Sequence, residues 1–358
     1  LGQLPRRRLV DRINNSRDIP FDVAMRKKSI LLIVGLVAGL GISEVVISAF
    51  GLAPEVTLIS VGRFQLSPNP NIGYEPVPFF EYSGEDLKFY EFRGKSNSLG
   101  FRDREHRVEK PEGTYRILIL GDSISMGLMV KDDEDIFPNV LERRLKTLQG
   151  NAEVLNFGVS GYNTRQEVAT LIKKGLVYDP DLVVVQYCLN DRMEMNGGII
   201  RELCALENSR AGIENSLLNP LLSRSALYRF LYFRVLHRTR EQNLEQREET
   251  LALLKQDSVE ESFQLLRATA SEHDFDVLVA VFPVFAKVSD IRLAEHRRIA
   301  HLSSANGFFH LDLSKAFTEC SQQSEESISL DPLHPSVPGH ACAATAIADY
   351  ISQHRLMK

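Results

Sequence analysis

Ser123 lies in the stretch Gly121-Asp122-Ser123-Ile124-Ser125-Met126-Gly127, directly after the apolar run Ile117-Leu118-Ile119-Leu120. An apolar run of this kind between polar segments reads as a strand of a parallel sheet covered on both faces. A hydroxyl at such a strand's carboxyl end, at the turn into a helix, stands where open α/β sheets place their ligands. It becomes a nucleophile when a neighbouring base takes its proton. Three further stretches hold candidate helpers. Asp331-Pro332-Leu333-His334-Pro335 carries a carboxylate and an imidazole three residues apart, Asn156-Phe157-Gly158-Val159-Ser160-Gly161-Tyr162-Asn163-Thr164 is a glycine-rich turn, and Cys188-Leu189-Asn190-Asp191 offers a carboxamide. Hydroxyl, imidazole, carboxylate and fixed N–H donors are the parts acyl transfer needs. Singly, each has a plainer reading: a serine after a strand is an ordinary helix cap, and Asp-Pro-Leu-His-Pro an ordinary loop.

The elements that would position them alternate. Strand patterns fall at 116–121, 153–157, 182–187, 277–282 and 308–311, and helical spacing at 135–148, 164–175, 259–272, 291–305 and 337–353. That alternation predicts a three-layer α/β fold on a five-stranded parallel sheet, with every strand's carboxyl end on one rim. Each of the four stretches lies on that rim or before the last helix.

Four such blocks in this order resemble the SGNH hydrolases, the GDSL-type lipases and esterases, over residues 115–358. The resemblance implies a flavodoxin-like α/β/α fold. It also implies Ser123 as nucleophile, His334 as the base that takes its proton, and Asp331 as the group that orients the imidazole. The backbone amides of Ser123 and Gly161 and the Asn190 side chain would form the oxyanion hole. Asp122 would hold the turn. The family's third block usually carries glycine two residues before the asparagine, where this chain has Cys188. The activity implied is serine ester hydrolysis of O-acyl groups on envelope carbohydrate or lipid. Transfer of the acyl group to a sugar hydroxyl is one alternative, and a non-catalytic accessory subunit of a membrane assembly is another. No cofactor and no metal are implied.

The net charge of −5 over 358 residues does not suggest nucleic acid as a partner. Residues 1–28 are rich in arginine and lysine, and 29–53 are apolar and long enough to cross a bilayer. The basic leader is then expected to stay in the cytoplasm as part of an uncleaved signal anchor in the cytoplasmic membrane, with the rest on the periplasmic or extracellular side. Glu44, inside that span, is expected near the outer interface, protonated or snorkelling; a membrane protein partner would be the other way to accommodate it. Residues 54–114, with Pro-Asn turns and short β-prone pieces, read as a linker and a small β-rich appendage.

Residues 193–251 are longer than the fold requires and read as an insertion. Within it, 225–238 mixes aromatic residues with cations: a helix packed on the sheet with its arginines in solvent is the simpler expectation, an interfacial helix on the membrane the other. Arg165 and Arg192 are expected in surface salt bridges, and His340 in packing beside the last helix. The turn 97–102 is expected to pack. The four cysteines fit no metal template, and Cys188 and Cys342 are expected as buried thiols.

Overall fold

The computed structural model describes residues 19–50, 52, 63–82, 94–192, 199–200, 203, 225–228, 230–231, 257–285 and 290–357. Two compact units divide the chain: residues 1–56 with 212–237, and residues 57–211 with 238–358.

In the larger unit, β5 (Tyr115–Gly121), β6 (Ala152–Gly158), β7 (Leu182–Tyr187), β8 (Asp276–Val281) and β9 (Phe309–Asp312) form one sheet in the order β6-β5-β7-β8-β9. All its pairings are parallel. Because side chains alternate along a strand, each strand feeds two cores. Leu118, Leu120, Val183, Val185, Val277 and Val279 face one cluster with Val168, Phe263 and Ile299. Ile117, Ile119, Leu182, Val184, Leu278 and Ala280 face the other with Phe137, Leu141, Ala344 and Ile347. The helices supplying those partners are α3 (Phe137–Gln149), α4 (Thr164–Thr170), α5 (Val259–His273), α6 (Asp290–Ala305) and α8 (Val337–Gln353). Burial on both faces explains why the strands read as unbroken apolar runs. This is the predicted α/β/α fold, with its N-terminal apolar helix. β6 lies on one side of β5 and β7 on the other, so the chain reverses direction across the sheet at β5, the strand that leads into Ser123.

Ahead of the sheet lie two antiparallel pairs, β1 (Phe64–Leu66) with β2 (Tyr74–Pro76), and β3 (Glu81–Tyr82) with β4 (Gly94–Lys95). Ile72, Tyr74 and Phe101 from this region are fully buried in the first cluster. They belong to the same compact unit as the sheet.

A helix absent from the sequence pattern, α7 (Ser314–Gln323), packs beside α8. Cys320 on α7 is disulfide-bonded to Cys342 on α8, closing a segment of 22 residues. This corrects the expectation that Cys342 is a buried thiol: α7 was not foreseen, so neither was the partner it carries. Cys188, outside that bond, is a buried thiol as expected. The segment the bond closes contains both Asp331 and His334. Removing the link by Cys320→Ala with Cys342→Ala frees a 22-residue loop in the unfolded chain and is expected to cost about 3 kcal/mol of stability. Denaturant titration with and without reductant checks it: the wild-type midpoint should fall on reduction and the variant's should not move.

In the smaller unit, α1 (Ile19–Ala49) contains the 24-residue stretch Arg26–Ala49, long and apolar enough to cross a membrane. Glu44 accepts hydrogen bonds from Ser225 and the following backbone of the same chain. Residues 225–228, 230 and 231 thus group with α1, not with the sheet as the simpler expectation held.

Candidate active site

β5 runs into α2 (Ser123–Met126), a single turn that opens on the serine. Asp122 caps it, its carboxylate accepting the Ile124 N–H at 2.8 Å, which agrees with a structural role for this acid. Ser123 is the first residue of that turn, so its own N–H has no intrahelical acceptor. The turn is held tightly against β6 and β7. A Cβ on Gly158 would lie 2.5 Å from the Met126 nitrogen, so only glycine permits that approach.

Gln186 on β7 spreads one amide oxygen over three donors: the Asp122 N–H (3.1 Å), the Ser125 N–H (3.2 Å) and the Ser125 hydroxyl (2.8 Å). Asn156 on β6 donates to the Ser125 carbonyl at 2.9 Å. Arg102, from the turn 97–102, donates to the carbonyls of Gly127 (2.7 Å) and Val130 (2.9 Å) and pairs with Asp133. Packing is therefore what that turn does, and it fixes the segment leaving Ser123.

His334 comes from the far end of the chain. Its Nε2 lies 2.9 Å from Ser123 Oγ, and its Nδ1 lies 2.7 Å from Asp331 Oδ2. The tautomer that satisfies both contacts has Nδ1–H donating to Asp331 and Nε2 accepting from the serine hydroxyl. Asp331 Oδ1 accepts the N–H groups of Leu333 and His334, each at 2.7 Å. Burial alone would raise the Asp331 pKa, but those two amides and the imidazole hold it below the ordinary aspartate value. Side-chain exposure rises from 13% at His334 to 34% at Asp331, while Ser123 is 9% exposed. In this arrangement an imidazole can take a hydroxyl proton and a fixed carboxylate can stabilise the resulting charge.

Gly161 sits in the turn after β6 with a left-handed φ of 79°. That turn is tied to the serine turn by the Val159 N–H donating to the Gly121 carbonyl (3.0 Å). Two tyrosines clamp it: Tyr74 Oη donates to the Ser160 carbonyl at 3.0 Å, and Tyr162 Oη to the Tyr74 carbonyl at 2.6 Å. The backbone of Asn190 lies in a short turn, Leu189–Arg192, directly after β7, and its side chain lies outside the described residues.

Behind the serine turn, two buried acids meet. Glu167 on α4 and Asp191 in the Leu189–Arg192 turn are hydrogen-bonded to each other. Asp191 Oδ2 also accepts the Cys188 N–H at 2.5 Å. Among the described residues, neither Glu167 oxygen nor Asp191 Oδ1 meets any N–H or conventional O–H donor. Two carboxyl groups can bond only through a proton, so the pair holds one. Burial drives both carboxyls well above their ordinary values, and the amide that Asp191 already accepts favours placing the proton on Glu167. Burial is the main cause, reinforced by the Asp191 and Asp122 charges, and it drives Glu167 well above the ordinary glutamate value. Among the described residues, no group of three His, Cys, Asp or Glu side chains is arranged to hold a metal ion.

Arg165 pairs with Glu261 at 3.0 Å, and Arg192 with Asp257 and Glu295, both at 3.3 Å. These are the salt bridges expected of them. Buried His340 accepts the Phe137 N–H at 3.1 Å, capping α3. Burial, with the Arg102 and His334 charges, lowers its pKa to about 3, so it stays neutral and takes no part in proton transfer. Sequence reasoning missed Gln186, Arg102 and the Glu167–Asp191 pair. Of these only Gln186, a lone polar residue closing the run Leu182-Val183-Val184-Val185, carried a visible signal.

The model of the GDSL-like Lipase/Acylhydrolase family matches residues 119–342, more than half of the chain. Among solved structures, the acetyl xylan esterase AlAXEase is similar at 15% identity, covering 66% of this chain and 99% of its own, with a TM-score of 0.41. TesA matches at 15% identity over 66% and 98%, TM-score 0.39. A catalytic mutant of Axe2, an acetylxylan esterase from Geobacillus stearothermophilus, matches at 15% over 66% and 94%, TM-score 0.40. No curated protein matches it in sequence.

Proposed function

The chain belongs to the GDSL-like lipase/acylhydrolase family of SGNH hydrolases, and on that premise we propose that it cleaves O-acyl esters of envelope carbohydrate or lipid outside the cytoplasmic membrane, with Ser123 as nucleophile. The observation that carries this reading is the unbroken line of contacts from Ser123 Oγ through the His334 ring to Asp331.

In the proposed cycle, His334 Nε2 takes the hydroxyl proton as Oγ attacks the ester carbonyl. Negative charge then gathers on the carbonyl oxygen, where the Ser123 and Gly161 amides and the Asn190 carboxamide would receive it, each donor worth about 2.7–4 kcal/mol in the barrier. The imidazolium returns its proton to the leaving alcohol, and water repeats the sequence on the acyl-enzyme. Asp331 keeps Nδ1 protonated throughout. Two observations support a location outside the cytoplasm: the apolar stretch Arg26–Ala49, and the Cys320–Cys342 disulfide, a bond that persists in oxidising compartments.

A fluorophosphonate probe on the folded full-length chain tests the nucleophile. Labelling should map to Ser123 and vanish in Ser123→Ala, together with hydrolysis of p-nitrophenyl acetate. Absence of labelling in the folded wild type would favour an accessory role instead.

A further inference from the structure

Glu44 is an ionisable residue inside the apolar stretch Arg26–Ala49, where a charge without donors is strongly disfavoured. Its donors come from its own chain. Ser225 Oγ donates to it at 2.6 Å, the Ala226 N–H at 2.7 Å and the Leu227 N–H at 2.8 Å, while Ser225 Oγ itself accepts the Tyr228 N–H at 3.1 Å. Ala226, Leu227, Tyr228, Phe230 and Leu231 are helical. Glu44 therefore serves the first-turn amides that a helix cannot satisfy itself. A carboxylate that would otherwise draw a neighbouring subunit is thereby satisfied, and the two pieces form one compact unit.

The depth of this contact follows from helix geometry. Glu44 precedes Ala49, the end of the apolar stretch, by five residues, which at 1.5 Å per residue is about 7–8 Å. If the basic leader faces the cytoplasm, that end is the outer one, and the Ser225 turn starts at the boundary between acyl chains and headgroups. The sequence from there, Ser225-Ala226-Leu227-Tyr228-Arg229-Phe230-Leu231-Tyr232-Phe233-Arg234, interleaves aromatic residues and arginines, the composition of helices that lie in the membrane interface. Leu231 is 50% exposed, and along α1 the side chains of Leu31, Val37 and Val45 are exposed in the same way. Apolar surface left open on both pieces of one unit is surface for lipid.

We propose that the helical residues 226–228, 230 and 231, opened by Ser225, are a second membrane-embedded element, docked through Glu44 on the transmembrane helix and lying in the outer leaflet of the bilayer. That arrangement suits an enzyme whose ester substrate is held at the membrane surface. The inference rests on the reading of α1 as a membrane span.

The chain contains no tryptophan, so a single introduced tryptophan reports alone. Full-length Leu231→Trp, reconstituted in phosphatidylethanolamine and phosphatidylglycerol vesicles, should show blue-shifted emission and lose it to lipids brominated on their acyl chains as fully as Val45→Trp on α1. Leu265→Trp on α5 should be unaffected. Quenching at 45 with water-like, unquenched emission at 231 would overturn the proposal and leave the anchor standing. Loss of quenching at both positions would instead overturn the reading of α1. In a Glu44→Leu background, quenching at 231 should fall while that at 45 persists; undiminished quenching at 231 would refute the docking role of Glu44.

Discussion

Asp331→Asn is expected to lower kcat for p-nitrophenyl acetate by about four orders of magnitude while leaving the fold intact. The asparagine oxygen can keep the Leu333 and His334 amides that Asp331 Oδ1 now accepts at 2.7 Å. Its nitrogen then replaces Oδ2, which faces His334 Nδ1 at 2.7 Å. A donor in that place selects the other imidazole tautomer, with the proton on Nε2, so that the ring offers Ser123 an N–H where the reaction needs a lone pair. Ser123→Ala and His334→Ala remove the proposed nucleophile and the proposed base themselves, and each should cost about six orders of magnitude in kcat. Removing His334 or Asp331 on top of Ser123 should cost little more than removing Ser123 alone, because the residues act as a unit. Steady-state rates with purified variants, set beside their thermal unfolding, check this. Strictly additive losses, or an Asp331→Asn rate near wild type, would show that His334 is not the base.

How much of this was open to reading depended on the kind of signal each element carries. β5, β7 and β8 were legible to within about a residue because strands buried on both faces must be apolar throughout. α4 was read as one helix over 164–175, but it ends at Thr170 and continues as a π-turn, Leu171–Gly175; apolar spacing does not distinguish the two. α7 escaped notice because Ser314–Gln323 is short and largely polar, burying Phe317 alone among its described side chains. The residues that hold the nucleophile turn escaped for another reason. Arg102 and Gln186 work through contacts 24 to 64 positions away in the chain, and no local pattern reports which distant carbonyl or amide a polar side chain will meet. Ser123 and His334 share that difficulty, being 211 positions apart. They were found because both lie in motifs whose order resembles a family, a source of information that says nothing about Glu167 or its meeting with Asp191.

Those two acids give the remaining large effect, and its sign is fixed by where the proton sits. Glu167 keeps its proton in the folded chain well above the ordinary value near 4.5, because burial and the Asp191 and Asp122 charges oppose ionisation. The unfolded chain loses that proton once pH passes about 4.3. Between that value and the raised folded one, the native state binds the extra proton, so stability falls as pH rises, by about 1.4 kcal/mol per unit for one proton. Glu295, bonded to Tyr187 Oη at 2.7 Å, adds further negative charge that raises Asp191. Glu167→Gln supplies Asp191 with an amide donor that does not titrate. The variant should therefore gain on wild type as pH is raised from 5, the difference growing along that slope until the raised folded value is passed, whereas Glu167→Leu leaves Asp191 Oδ1 without a donor and should be destabilised throughout. Urea titrations of the three proteins across this range decide the matter. A Gln-minus-wild-type difference that stays flat with pH would mean that Glu167 and Asp191 do not share a proton, and that α4 and the turn carrying Asn190 are joined by something else.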